Sequence, residues 1–195
     1  MAMPAPAPLY PDTSRRDWTA DELALLPDDG QRYEVVDGEL LVTPAPTDRH
    51  QFAIGELYER VKPYASACGF DCLFAPSDVR FSARREVQPD LLVRPRRPDG
   101  SRAERFSEVG RLLLAVEVLS PSTARADRHV KRRMYQQEGL PDYWIVDTGE
   151  RFFERWRPGD ELPEILTELL SWQPRDDAAP LVIDLPAYFR AVVEG

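Results

Sequence analysis

The sequence predicts an α/β domain, a central mixed β-sheet flanked by helices with hairpins at its periphery. Three observations predict it. The runs VQPDLLV and LLLAVEVLS are apolar on both faces of a strand, as strands are in the middle of a covered sheet. Two later segments, one after Pro46 and one after Thr123, repeat apolar residues at helical spacing. The dipeptides Asp37-Gly38 and Thr148-Gly149 separate β-prone runs and read as hairpin turns. With 195 residues the chain can bury roughly 70% of its unfolded surface in one core.

The elements follow in order. Residues 1–16 alternate Pro and Ala and read as a disordered arm, leaving residues 17–195 as a single domain. A short helix starts at Thr19, with Glu22 three residues on for a capping box, and stops at Pro27-Asp28-Asp29-Gly30. RYEVVDGELLVTP is the first hairpin. Asp48 and Gln51 cap a helix whose Ile54, Leu57, Tyr58, Val61 and Ala65 share a face, and Pro63 kinks or ends it. DCLFAPSDVRFS, VQPDLLV and LLLAVEVLS are three strands, with an Arg/Pro/Gly-rich loop from Arg94 to Ser101 and a turn of structure from Ala103 to Glu108. Ser122 or Thr123 caps a helix from Ala124 to Glu138 that ends at Gly139, with Ala126, Val130 and Met134 as its core line. YWIVDTGERFFERW forms a second hairpin, and LVIDLPAYFRAVVEG a terminal strand and helix.

Composition narrows the function. No apolar run approaches the ~20 residues a membrane span needs, and the N-terminus lacks the apolar stretch of a signal peptide, so the expected location is cytoplasmic with no membrane partner. Two cysteines, Cys68 and Cys72, and two histidines, His50 and His129, are too few for a convincing zinc site. The net charge of -9 argues against nucleic acid, whose phosphates are met by Lys and Arg. Its distribution softens this: Asp142 to Gly195 carries net -7, whereas Arg84 to Arg97 carries +3 and Arg125 to Arg133 carries +4.

One residue breaks the apolar pattern. Glu117 lies inside LLLAVEVLS on the same strand face as Ala115 and Leu119. Asp90 enters the preceding apolar run, far enough back for the two strands to lie side by side. Two such carboxylates repel each other and need a proton, an arginine such as Arg84 or Arg111, or a divalent cation. Oxygen donors without nitrogen or sulfur partners select Mg2+ or Mn2+. On the following helix Asp127, Lys131 and Tyr135 form one line at a spacing of four.

Pro89-Asp90, EVLS (Glu117 to Ser120), the D-x3-K-x3-Y helix and YWIVD occur in this order with YEVVDGEL, P-x-P-x3-H (Pro44, Pro46, His50) and PSDVRF. The set, covering roughly Asp17 to Pro158, resembles the Uma-type restriction endonuclease family, a branch of the PD-(D/E)XK nuclease superfamily. The resemblance implies a restriction-endonuclease-like core and metal-dependent endonuclease activity on phosphodiester bonds, with DNA the expected substrate. It implies that Asp90 and Glu117, with the backbone carbonyl of Val118, hold Mg2+ (or Mn2+). The superfamily lysine belongs two residues after the glutamate, where this chain has Leu119, and Lys131 is the only lysine downstream. Either Lys131 supplies the amine, or Arg128 or no residue does. In the last case the chain is a catalytically impaired nuclease-fold module that binds nucleic acid or a protein partner. Glu34, His50, Asp78, Ser120, Asp127 and Tyr135 are accessory candidates, against plain readings of His50 as a local hydrogen-bonding residue and Tyr135 as a packing residue. Arg94, Arg96, Arg97, Arg125 and Arg128 are candidates for nucleic-acid contact, or ordinary surface cations. A homodimer is expected, with Trp144, Phe152, Phe153 and Trp156 of the second hairpin at its interface.

Overall fold

A computed structural model describes residues 11–194, which form three antiparallel or mixed sheets and four helices. The arm read as residues 1–16 falls outside the described residues up to position 10. Beyond it, the carbonyls of Asp12 and Arg16 accept bonds from the Trp18 and Arg84 side chains, which tie residues 12–16 to the domain.

Helix α1 (Ala20–Leu23) starts at Thr19, whose N–H and hydroxyl both donate to the Glu22 carboxylate at 2.9 Å. Strands β1 (Arg32–Val36) and β2 (Glu39–Thr43) form the expected hairpin. Its turn residues Asp37 and Gly38 take φ of 52° and 85°, the left-handed pair such a tight turn requires. Helix α2 (Asp48–Ala67) is capped by Thr47 rather than Asp48 and runs through Pro63 without ending there.

Two of the expected strands are each divided by a proline. DCLFAPSDVRFS becomes β3 (Phe70–Phe74) and β4 (Val79–Ser82), and VQPDLLV becomes β5 (Arg85–Val87) and β6 (Leu91–Pro95). Pro76 and Pro89 offer no N–H to a ladder, so the chain leaves one sheet at each and joins another. Strand β7 (Leu114–Val118) is wholly buried, as its sequence predicts.

The helix after β7 departs from expectation in a way that matters. It begins at Ala124, widens into a π-helical turn over Ala126–Lys131, and continues as α3 (Arg132–Gln137). The Arg132 N–H bonds the Asp127 carbonyl five residues back, which inserts one extra residue into the turn. The buried line is therefore Asp127, Lys131, Met134 and Tyr135, whereas Ala126 and Val130 are only half-buried. Ser120, not Ser122, cooperates with Thr123 at the helix start through mutual hydroxyl and N–H bonds.

Strands β8 (Asp142–Asp147) and β9 (Phe152–Trp156) form the second hairpin inside the main sheet, not at the periphery. Trp144, Phe153 and Trp156 are buried in the chain's own core and Phe152 is half-buried, so this hairpin does not offer them as an interface between two copies. Strand β10 (Glu164–Leu166) edges that sheet, and β11 (Leu169–Trp172) pairs with β12 (Leu181–Asp184) ahead of α4 (Leu185–Glu194). No described helix is long and apolar enough to cross a membrane.

The main sheet has the order β10-β9-β8-β7-β6-β3, with only β7 and β8 parallel; the second has the order β2-β1-β5-β4. On one face of the main sheet, Leu114, Val116 and Val118 pack with α2, α4 and the β11–β12 ribbon. On the other, Leu92, Ala115 and Ile145 meet α3 together with Val36, Val79 and Val87 of the second sheet. Alternation then fixes what faces the gap between the sheets. Val35 points to α1 and Trp18, so Arg32, Glu34 and Val36 point to the main sheet, while Ala115 and Glu117 point back.

The first hairpin provides a test of this packing. A Cβ on Gly38 would come within 2.3 Å of Arg84 Nη2 and 2.4 Å of the Arg16 carbonyl, at a φ that L-residues avoid. Gly38→Val is expected to destabilise the domain by about 1–3 kcal/mol in urea unfolding, with the same substitution at the open Gly55 costing less.

Candidate active site

Asp90 sits where the chain passes from the second sheet into the main one, just before β6. The antiparallel register of β6 on β7, with Leu91 opposite Val116, carries it alongside the end of β7. There its Oδ2 accepts the Val118 N–H at 2.8 Å. Arg32 donates to its Oδ1 at 3.0 Å and to the Gln88 carbonyl at 2.8 Å. His50, in the first turn of α2 where Thr47 caps its N–H, brings Nε2 to 3.0 Å from Oδ2. Burial opposes the charge on Asp90, but His50, Arg32 and the Val118 N–H outweigh it and hold its pKa at about 2. These donors favour the ionised form of Asp90.

Glu117 faces the gap between the sheets and meets an amine. Lys131 Nζ lies 3.0 Å from Glu117 Oε1, 2.8 Å from Glu34 Oε2 and 3.6 Å from Asp127 Oδ1. The second oxygen of Glu34 accepts the Gln88 N–H at 2.7 Å. Asp90, Glu117 and Lys131 are 2%, 1% and 2% exposed, so their interactions are little screened by water. Burial works against charge on Lys131, yet Glu117, Glu34 and Asp127 hold its pKa well above the ordinary lysine value. Burial and the neighbouring carboxylates push Glu117 well above the ordinary range despite Lys131. The same causes raise Asp127 to about 6. Four carboxylates thus share two fixed cations, Lys131 and Arg32, and the surplus negative charge is met by a proton or by an added cation.

Asp90, Glu117, Arg32 and His50 line a cleft of about 1160 Å³, whereas Glu34, Asp127 and Lys131 are buried and do not line it. Asp78 stands exposed on the wall, holding the Gln88 amide at 2.7 Å, and Ser120 lines the wall at the helix start. Tyr135 is fully buried behind Lys131, its ring 4.7 Å from that of Tyr143, whose hydroxyl donates to the Asp127 carbonyl, the same carbonyl that accepts the Arg132 N–H. The basic candidates separate. Arg128 lines the cleft, bonded to Glu154 at 2.6 Å and Asp147 at 3.2 Å, whereas Arg125 is exposed outside it. Arg94 is buried in β6, bonded to the Ala103 carbonyl, and Arg96 and Arg97 are held by Asp71 and Glu108. All three lie toward or past the far end of β6, the last two roughly 20 Å from Asp90 at ~3.3 Å per residue, because a strand separates its two ends. Arg84 is likewise occupied elsewhere, bonding carbonyls of Arg16 and Asp37.

Sequence reasoning missed Arg32, the cation that actually meets Asp90. Its signal was positional: it shares the strand face of Glu34, two residues on. Among the described residues no three His, Cys, Asp or Glu side chains form a ready metal-ligand set. The donors on offer are the carboxylates of Asp90 and Glu117 in a buried site with surplus negative charge. That set fits Mg2+ or Mn2+, since Mg2+ takes one or two carboxylates and keeps several waters.

Residues 20–186 match the family model described as "Uma2: Putative restriction endonuclease". The fold is that of a solved structure, a putative nuclease belonging to DUF820 from Anabaena variabilis ATCC 29413, with a TM-score of 0.73 at 19% identity over 90% of this chain and 99% of that one. No curated protein matches the chain.

The buried cluster has measurable consequences. Lys131→Met leaves Glu34, Glu117 and Asp127 without their shared amine and is expected to cost about 3–5 kcal/mol of stability in metal-free urea unfolding. The Asp127 pKa is raised on folding, so its contribution to stability is complete below pH 3.8 and is lost as the pH rises through about 6. Asp127→Asn is expected to flatten the metal-free stability profile between pH 4 and 6, by up to about 3 kcal/mol.

Proposed function

The chain belongs to the Uma2 family, whose model spans most of it, and we propose that its cleft hydrolyses phosphodiester bonds in DNA with Mg2+ or Mn2+ as cofactor. One observation supports this above the others: two buried carboxylates, Asp90 just before β6 and Glu117 on the neighbouring β7, line an open cleft beside a lysine ammonium.

Asp90 and Glu117, with the Val118 carbonyl, would hold the ion. When bound, such an ion polarises the scissile phosphate and makes a coordinated water more acidic. Arg32 and His50 hold the Asp90 carboxylate in a fixed orientation, and the Val118 N–H locks it to β7. Lys131 is an ammonium in its resting state and so has no lone pair with which to take a proton from water. Its role in this reading is to orient the Glu117 carboxylate and to offset negative charge gathering on the phosphate, an electrostatic contribution that low water content strengthens. Arg128, on the cleft wall, is a candidate for a contact with a neighbouring phosphate if it exchanges one of its partners, Glu154 and Asp147, for it.

A second reading keeps the fold without the chemistry. Leu119 occupies the superfamily's lysine position, and Lys131 is enclosed by carboxylates. In that case the chain binds nucleic acid or a protein without cutting. Titrating Mn2+ calorimetrically into the protein, and following supercoiled plasmid in parallel, separates the two. Saturable Mn2+ binding with metal-dependent nicking is expected, and both are expected to vanish in Glu117→Gln. Lys131→Ala, assayed where it remains folded, is expected to lower turnover by roughly 10²–10⁴ with little change in Mn2+ affinity. Nicking by Glu117→Gln at the parent rate would remove Glu117 from the mechanism, and DNA binding without metal uptake would favour the second reading.

A further inference from the structure

We infer that the nucleic acid entering this cleft is unpaired, a single strand or the single-stranded part of a duplex, and that Phe74 is the surface on which one of its bases stacks. The inference rests on the nuclease reading above and names its substrate class.

Depth comes first. Asp90 and Glu117 are almost without exposure, so a phosphate reaches them only by descending into the cleft. Double-stranded DNA is stiff over roughly 150 base pairs, and bending it sharply costs several kcal/mol. A single strand turns one phosphate inward without that cost.

Charge points the same way. Duplex binding draws its affinity from neutralising many phosphates at once. The cleft offers three arginines, of which Arg32 is committed to Asp90 and Arg128 to Glu154 and Asp147, leaving Arg49 exposed on the first turn of α2. The protein as a whole carries -9. What the walls supply instead is apolar surface, and binding of unpaired strands relies on that surface because every base presents a flat face.

Phe74 is the part of the wall best placed to use it. It is 52% exposed at the end of β3, opposite Leu91 in the register, and the next residue, Ala75, donates its N–H to the Asp90 carbonyl. The backbone of Phe74 therefore lies one strand away from that of Asp90, and its ring lines the same cleft. Tyr58 of α2 braces it edge-on, with ring centroids 4.9 Å apart and planes at 86°. Other exposed apolar side chains, such as Ile165, Leu169 and Val182, lie on β10, β11 and β12 and do not line the cleft. Among the large exposed apolar side chains of the described residues, Phe74 alone lines it.

Fluorescence anisotropy in EDTA tests this without any cleavage, with a labelled oligodeoxynucleotide and the same strand annealed to its complement as probes. The unpaired probe is expected to bind at least about tenfold more tightly. Phe74→Ala is expected to weaken its binding by roughly 5- to 150-fold, the loss of one stacked base, leaving duplex binding unchanged, and Phe74→Trp to retain it. Equal or tighter binding of the duplex, no binding of either probe, or no effect of Phe74→Ala would each overturn the inference. Cleavage with Mn2+ distinguishes its failure from that of the nuclease reading. A protein that prefers the unpaired probe but cuts neither leaves this inference standing and ends the nuclease reading. One that cuts duplex as fast as single strand does the reverse.

Discussion

The Lys131 ammonium is shared between a glutamate from each of two sheets, and much of the site follows from that one contact. Glu34 reaches it from β1 of the small sheet and Glu117 from β7 of the large one, with Asp127 one turn away on its own helix. A buried carboxylate without a partner is costly, and here three are gathered around one amine. The contact therefore sets how the two sheets face each other at this end of the molecule. It also keeps Glu117 directed toward the gap into which the cleft opens.

That arrangement depends on an irregularity in the helix. A regular α-helix with Ala126, Val130 and Met134 inward would turn Lys131 off the buried axis, as the periodicity alone suggests. The π turn adds a residue between Asp127 and Arg132, and the buried line shifts to the polar residues. The Asp127 carbonyl, which accepts the Arg132 N–H across that turn, also accepts the Tyr143 hydroxyl from β8. The two proline breaks have a similar role in the sheets. By ending β5 at Val87 and starting β6 at Leu91, the segment around Pro89 places Asp90 at a crossing point instead of inside a ladder, so its carboxylate is free to bond Arg32 and the β7 backbone.

The electrostatics of the site divide between its two principal carboxylates. Asp90 is surrounded by donors and stays ionised, whereas Glu117 and Asp127 lie among other carboxylates and take up protons readily. A divalent cation held as proposed would displace such a proton, and its uptake would then be linked to pH by the same surplus of negative charge. The acidity of the whole chain has a narrower meaning than its net value suggests: of the three arginines lining the cleft, Arg32 and Arg128 are bound to acids of the protein itself.

The sequence by itself determined the class of the fold and the identity of the central residues. The apolar strands around Asp90 and Glu117, the Asp37-Gly38 turn and the Asp127-Lys131-Tyr135 spacing are local patterns, and local patterns depend on backbone geometry that each segment carries with it. The family resemblance rests on the same short phrases. Only the tertiary structure decided which residues meet. The partner of Asp90 is Arg32, distant in sequence and unmarked except by sharing a strand face with Glu34, and not Arg84 or Arg111. Arg94, Arg96 and Arg97 follow Asp90 closely in sequence yet stand toward the other end of β6, because an extended strand separates neighbours in sequence faster than any other element. The aromatic hairpin that composition offers as an interface is buried, since the central place of β8 and β9 is a property of strand order, and strand order is set by pairings between segments that no single segment encodes.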